Sequence, residues 1–364
     1  MSLDICINGR FLVDTPATTY AVARHLTHAL GALLASEREH RREISPKVIA
    51  PPNAAPAAVT ALELPVERVG PLSGNLWEQV LLPHHVRGRL LLNFAARSPL
   101  VSRHALTMVH DAQVFTAPDS YGWAFRETLK ANIRVAGKRQ LGLLTVSDFS
   151  KAELAGLGIA PPERIHVIYN GVDHILRHAP DDTILPRLGL TFRGYALALS
   201  NLQPHKNIGL LLRTFASPDM AGLKLVLVGG ATREEFVARG MQPPENVIFA
   251  GRVSDGEMRS LQTQALAVCT PSLTEGFGLP PVEAIFLGTP GVIAPCGALP
   301  EVCGPGALHA DPRDPSAWKD ALLRLRDDHD LHASLARQGQ AFAARFTWKA
   351  AAERLVEIID DHGG

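Results

Sequence analysis

Residues Thr274 to Ala284 read TEGFGLPPVEA, and the fold is decided around them. The apolar run Ala265–Thr270 just before them predicts a buried strand, and Val282–Leu287 just after predicts the start of a helix. Pro280 and Pro281 suit that start, because proline lacks the N–H that a first helical turn leaves unused. Gly276 and Gly278 lie in the connection, where backbone without a Cβ can approach a ligand closely. A helix start directs free N–H groups and partial positive charge outward, which suits phosphate.

Two carboxylates frame this turn, Glu275 at the strand's exit and Glu283 in the expected first helical turn. A carboxylate only accepts hydrogen bonds, so it can hold two neighbouring hydroxyls of a ribose or a hexose. Taken singly, Glu275 reads as a solvated loop acid and Glu283 as a residue complementing the helix dipole. Taken together around a Gly/Pro turn after a buried strand, they suit a sugar nucleotide: one acid per ring, with the diphosphate between.

The E-x7-E pattern within EGFGLP-x-x-E resembles the signature of the retaining GT-B glycosyltransferases that use nucleotide-sugar donors. The likeness extends over nearly the whole chain and is strongest from Tyr195 to Pro300, with a leaning toward bacterial O-antigen and exopolysaccharide mannosyltransferases. It implies an α/β chain of two Rossmann-like, doubly wound domains facing a cleft. By resemblance Glu275 contacts the donor sugar, Glu283 holds the ribose, and the amides of Phe277, Gly278 and Leu279 lie along sugar and phosphates.

Composition sets the bounds. With 364 residues, 46% hydrophobic and 20% charged, the chain is globular and long enough for two domains. Formal net charge is zero, so neither nucleic acid nor a membrane is implied as a bulk partner. Cys6, Cys269, Cys296 and Cys303 show no metal-ligand spacing and read as core residues of a reducing compartment. Fifteen scattered histidines form no metal motif. The expected location is cytoplasmic, since neither a signal peptide nor a membrane-spanning run is visible.

In chain order, Leu3–Asn8 predicts a strand ending at Gly9, followed by GRFLVDTPATTYAVARHL. The family often has a second glycine where Thr18, Thr19 and Tyr20 stand; Gly9 remains as a donor-side candidate. Tyr20–Leu34 predicts a helix and Lys47–Ala50 a strand; Pro51–Pro65 is left as a loop or short element. WEQVLLP (Trp77–Pro83) predicts a helix stopped by its proline. Strands at Leu90–Phe94 and Leu106–Val109 follow, the second ending in His110-Asp111. Alone, that pair reads as a backbone-bonded histidine and a turn former; the resemblance makes His110 the contact to the donor hexose.

Trp123–Gln140 predicts a helix carrying Arg126, Lys130, Arg134 and Lys138 at four-residue spacing. A solvated face is the plain reading. A contact for an anionic, lipid-linked acceptor at the inner membrane surface is the sharper one. Asn170-Gly171 predicts a tight turn after the strand Ile165–Tyr169. The first, acceptor domain is expected to span residues 1–173, with a linker at 174–194. A donor domain then spans 195–345, and a C-terminal helix in 346–364 crosses back to the first domain.

Within the donor domain, Tyr195–Leu199 predicts a strand running into SNLQPHKN. By resemblance Lys206 stands beside the diphosphate, with Asn207 capping the next helix. His205 replaces a commoner arginine and makes one positive charge dependent on pH. Gly229 is a close-approach glycine after Leu223–Val228. Arg252 and Val253 follow the strand Val247–Ala250, where the resemblance places the nucleobase. The mechanism implied stabilises charge on the departing nucleoside diphosphate, through Lys206 and the helix start, with no metal and no further cofactor. Partners are a nucleotide sugar, GDP-mannose slightly favoured over a UDP-hexose, and a glycan or lipid-linked glycan acceptor. Other GT-B chemistry, such as a sugar-nucleotide epimerase or a phosphorylase, remains open, as does a non-catalytic sugar-nucleotide-binding protein.

Overall fold

The structure is a computed structural model. It describes residues 3–13, 18–36, 44–62 and 64–362, so residues 14–17 of the altered N-terminal loop lie outside it. The chain divides into two units. The first is Met1–Gly171 with Thr347–Gly364, and the second is Val172–Phe346.

Seven parallel strands form the sheet of the first unit: β1 (Leu3–Asn8), β2 (Ile44–Ala50), β3 (Val66–Arg68), β4 (Leu90–Asn93), β5 (Ala105–Met108), β6 (Gly142–Thr145) and β7 (Ile165–Val167). They lie in the order β3-β2-β1-β4-β5-β6-β7. Six more build the second: β8 (Tyr195–Leu199), β9 (Lys224–Val228), β10 (Val247–Gly251), β11 (Ala267–Thr270), β12 (Gly291–Ile293) and β13 (Ala307–His309). Their order is β10-β9-β8-β11-β12-β13. In each sheet the order reverses once, beside the first strand of the unit, which is the doubly wound arrangement of nucleotide-binding folds.

The strands of the second unit are mostly apolar because both faces are covered. Ala196, Ala198, Leu225, Leu227, Ala267 and Cys269 face one side, with the helices Ile208–Phe215 and Pro315–Asp327. Tyr195, Leu197, Val226, Val228 and Val268 face the other, packed with Leu261 and Ala284. The sequence underrates what else covers that second face. Ile184, Leu185 and Leu190 are buried there, so most of the segment expected as a linker, 174–194, is integral to the second unit. Its polarity conceals three apolar side chains that close a sheet face.

The helix Trp348–His362 packs on the helix Thr18–Ser36 of the first unit, with the His25 and Trp348 rings 5.2 Å apart. Asn170-Gly171 is not a tight turn, and Gly171 is absent from the positive-φ residues. A Cβ at Gly171 would lie 2.3 Å from the Trp348 amide nitrogen. The glycine admits the returning backbone.

Pro83 does not stop its helix either. Gly74–Leu76, a π-helical turn Trp77–Leu81 and Leu82–His85 run on as one element, with the Leu82 amide donating to the Trp77 carbonyl. The wider turn relieves the clash a proline ring makes with the preceding turn. The helices Arg233–Ala238 and His329–Ala343, and the short strands β3 and β13, have no counterpart in the sequence reading.

Candidate active site

At the reversal point of the second sheet, the loops leaving β8 and β11 lie side by side. The first brings Lys206 and the second Glu275. Lys206 Nζ donates to Glu275 Oε1 at 2.7 Å and Oε2 at 2.9 Å, and Ser272 Oγ donates to Oε1 at 2.7 Å. Only 12% of the Glu275 side chain is exposed, so the pair is fixed rather than fluttering in solvent. Three of the roughly four acceptor positions of Glu275 are taken, which leaves room on Oε2 for one hydroxyl. Gly297, at φ +63°, allows the approach: a Cβ there would fall 2.4 Å from the Glu275 amide nitrogen. The Ala298 amide closes the contact onto the Glu275 carbonyl at 2.9 Å.

The helix begins at Leu279, earlier than the apolar run suggests, and runs to Phe286 with both prolines inside its first turn. Glu283 therefore lies in the second turn, not the first. The prolines carry no N–H, so the donors here are fewer than a generic helix start offers. The Phe277, Gly278 and Leu279 amides make no intramolecular hydrogen bond among the described residues. The Phe277 ring is buried edge-on against Phe346 with centroids 5.6 Å apart, which anchors the amides following it. Gly278 adopts φ +90°, in the left-handed region that favours glycine.

Glu283 accepts from Gln262 Nε2 at 3.0 Å and has His174 Nε2 at 3.3 Å from its other oxygen. Each oxygen keeps an acceptor position. Ser272, Gln262 and His174 were all missed from sequence. Gln262 sits on a polar helix and His174 in the supposed linker, and no local pattern marks either as a partner of the two acids.

Several expectations change. His205 is 4% exposed, and burial first, then Lys206, pushes its imidazole down to about 4, Glu275 opposing. It is neutral at physiological pH and adds no charge at all. Asn207 makes no side-chain cap; it adopts φ +53° and donates to the carbonyls of Pro271 and Pro312, tying the β8 loop to its neighbours. Gly229 accommodates the chain itself, since a Cβ would meet the Ser200 carbonyl at 2.6 Å. Arg252, beside Gly230, has no carboxylate partner among the described residues. Val253 packs into the core, leaving its backbone at the β10 edge.

In the first unit, Gly9 follows β1 and His110 follows β5, both at the carboxyl edge of that sheet. Gly9 has a packing reason: a Cβ would stand 2.7 Å from the Ile49 carbonyl. Burial lowers the pKa of His110 against the opposing pull of the Phe94 carbonyl, which lies 2.9 Å from Nε2 and selects the tautomer that carries its proton there. Of the basic stripe, Arg126 and Lys130 share Glu127, while Lys130 and Arg134 stack over Phe115. Three of the four stripe residues are thus engaged within their own unit. Among the described residues no group of His, Cys, Asp or Glu is arranged to hold a metal, and no helix is long and apolar enough to cross a membrane.

Two doubly wound sheets, with a lysine, two framed acids and unspent amides at a strand-order reversal, define a GT-B-type enzyme. Solved structures carry the same fold. Sucrose-phosphate synthase from Thermosynechococcus elongatus superposes with a TM-score of 0.74 at 18% identity, over 99% of each chain. HepE of Anabaena, solved with UDP-glucose, gives 0.72 at 20% identity over 99% of this chain and 100% of that one. A family model for group 1 glycosyl transferases matches residues 191–342. O-antigen chain mannosyltransferase B of Escherichia coli is 30% identical over 256 residues, 67% of each chain. O-antigen chain mannosyltransferase RfbU of Salmonella typhimurium is 31% identical over 236 residues, 62% of each chain. The matched stretches thus span about two thirds of these relatives. The chain belongs to the group 1 glycosyltransferases.

Proposed function

We propose that the protein transfers a hexose, mannose first among candidates, from a nucleoside diphosphate sugar to an acceptor hydroxyl, with retained configuration and without a metal. The carrying observation is the Lys206–Glu275 pair beside the free amides of Phe277, Gly278 and Leu279. The mannosyl preference and the surface-polysaccharide setting rest on the names of the Escherichia coli and Salmonella relatives.

Each group has a task on this reading. The bond from the anomeric carbon to the diphosphate oxygen breaks while the acceptor oxygen bonds on the same face. The acceptor's proton passes to the departing phosphate oxygen. Lys206 and the three amides stabilise charge growing on that phosphate. Glu275 Oε2 accepts from a sugar hydroxyl and Glu283 from the ribose. With His205 neutral, Arg252 is the further cation assigned to the phosphates. His110 is assigned to the hexose by family likeness, with His110→Ala as its own test.

The experiment is turnover with GDP-mannose and UDP-glucose on lipid-linked glycan acceptors, with anomeric configuration read by NMR and EDTA as the metal control. Nucleotide release that depends on acceptor, with an α-linked product from an α-linked donor, is expected. An inverted product would overturn the retaining assignment, and abolition by EDTA the metal-free one. No transfer from any nucleoside diphosphate hexose, GDP-, UDP- or ADP-linked, would overturn the whole reading.

A further inference from the structure

The amino edge of the first unit's sheet carries a concavity of about 520 Å³ that no step above uses. One wall comes from the helix through Trp77–Leu81 and Leu82–His85 and from the turn that enters β4. The other is Val101–His104, which enters β5. Because the sheet is parallel, this lies at the opposite edge from Gly9 and His110. Gln79 ties the walls together: its Nε2 donates to the Ser98 carbonyl at 3.0 Å, and its Oε1 accepts from the Leu100 amide at 3.0 Å.

The lining contains Arg87, Arg89, Arg103, His84 and His104, and no carboxylate. Arg89 is partly committed, with Nη1 3.7 Å from Cys6 Sγ and with Asp4 and Glu67 acting on it. Arg87 and Arg103 make no ion pair, hydrogen bond or ring contact among the described residues. That separates this cluster from the stripe on Trp123–Arg139, where three of the four cations are engaged by Glu127 or Phe115. Val80 and Val101 also line the concavity and stay exposed, Val101 by 68%. Guanidinium groups lining one concavity without an acid suit phosphate, which they bind through paired N–H donors. Apolar side chains beside them suit a ligand that carries hydrocarbon next to its phosphate.

We propose that this concavity is a second anion site, taking a phosphate group on Arg87 and Arg103. It does not depend on the transferase reading. The phosphate can belong to an anionic lipid headgroup or to a free phosphate compound, and two arms separate these sources. In one, the full chain is sedimented with phosphatidylglycerol-containing vesicles and with neutral phosphatidylcholine vesicles. In the other, it is titrated with inorganic pyrophosphate.

Arg87→Glu/Arg103→Glu should weaken whichever binding occurs by at least about 10-fold, since each arginine near an anionic surface contributes several-fold. Melting temperature and turnover should be unchanged. Only the part of the pyrophosphate binding lost in this variant counts, because the donor site also takes diphosphate. Variant-sensitive binding to anionic vesicles alone assigns the lipid source, and to pyrophosphate alone the free one. Should the double reversal misfold, Arg87→Gln/Arg103→Gln serves instead. Absence of both kinds of binding in the native chain, equal binding to neutral vesicles, or binding that both variants retain in full overturns the site.

Discussion

At the scale of single residues, the site depends on a few side chains whose partners the fold fixes. Glu275→Gln keeps shape but removes the negative charge and one of the two acceptor oxygens that hold Lys206, and Lys206→Ala removes the cation itself. Each should lower kcat by at least about 100-fold, the usual cost of losing a group aimed at developing charge. Unchanged melting temperatures would separate this loss from misfolding, and near-normal kcat in both would refute the assignment. His205 gives a prediction about stability. Its folded pKa of about 4 lies below the ordinary 6.5, so the unfolded chain binds more protons between those values. Stability is therefore intact above pH 6.5 and falls as pH drops toward 4, by up to about 3 kcal/mol. His166 is lowered to about 4 as well, chiefly by burial, so the total slope is not His205's alone. The difference between native protein and His205→Asn isolates it: the gap between denaturant midpoints at pH 7 and pH 4.5 should be smaller in the variant, with the remainder left to His166. An identical pH slope in both would show that His205 is not buried neutral.

At the scale of elements, the decisive joints are places where one backbone presses on another. Gly297 pressing on Glu275 is the sharpest, because φ +63° and the 2.4 Å approach both exclude a side chain. Gly297→Ala should cost about 1 kcal/mol for the left-handed backbone alone, and more for the clash. It should also lower kcat by displacing Glu275; unchanged melting temperature and kcat together would contradict the joint. Such joints mark the limit of what the sequence conveys. TEGFGLPPVEA and the apolar run before it display a strand, a turn and a helix because their proline, glycine and apolar signals are all local, and the strand at Tyr195–Leu199 and helix at Ile208–Phe215 are legible for the same reason. Glu283's second-turn position is not legible, because the prolines belong to the helix rather than preceding it. Gln262 and His174 reach Glu283 only through tertiary packing. Gly171 likewise reads as a turn glycine until Trp348, far along the chain, arrives beside it. The segment 174–194 reads as a linker because its three core residues are diluted among polar ones.

At the scale of the whole molecule, the two units are assembled differently, and stability should reveal it. The second is one continuous stretch, Val172–Phe346, and holds the Lys206–Glu275 site; the first is completed only by Thr347–Gly364. Leu355, Val356, Ile358 and Ile359 on that last helix are fully buried, so the first unit loses core when the helix is weakened. Leu355→Ala should destabilise the first unit by about 2–5 kcal/mol, the range for deleting a buried leucine side chain. A nucleoside diphosphate acts elsewhere: bound to the second unit at 100 times its Kd, it should add about 2.7 kcal/mol there. Calorimetry should therefore show two transitions, one lowered by Leu355→Ala and the other raised by the nucleotide that serves as donor. Comparing GDP, UDP and ADP in that second transition identifies the base, since only the recognised nucleotide moves it strongly at millimolar concentration. If both perturbations move a single transition equally, the units unfold as one cooperative body. If no nucleotide shifts either transition, the phosphate-binding role of the Lys206–Glu275 loop pair fails with it.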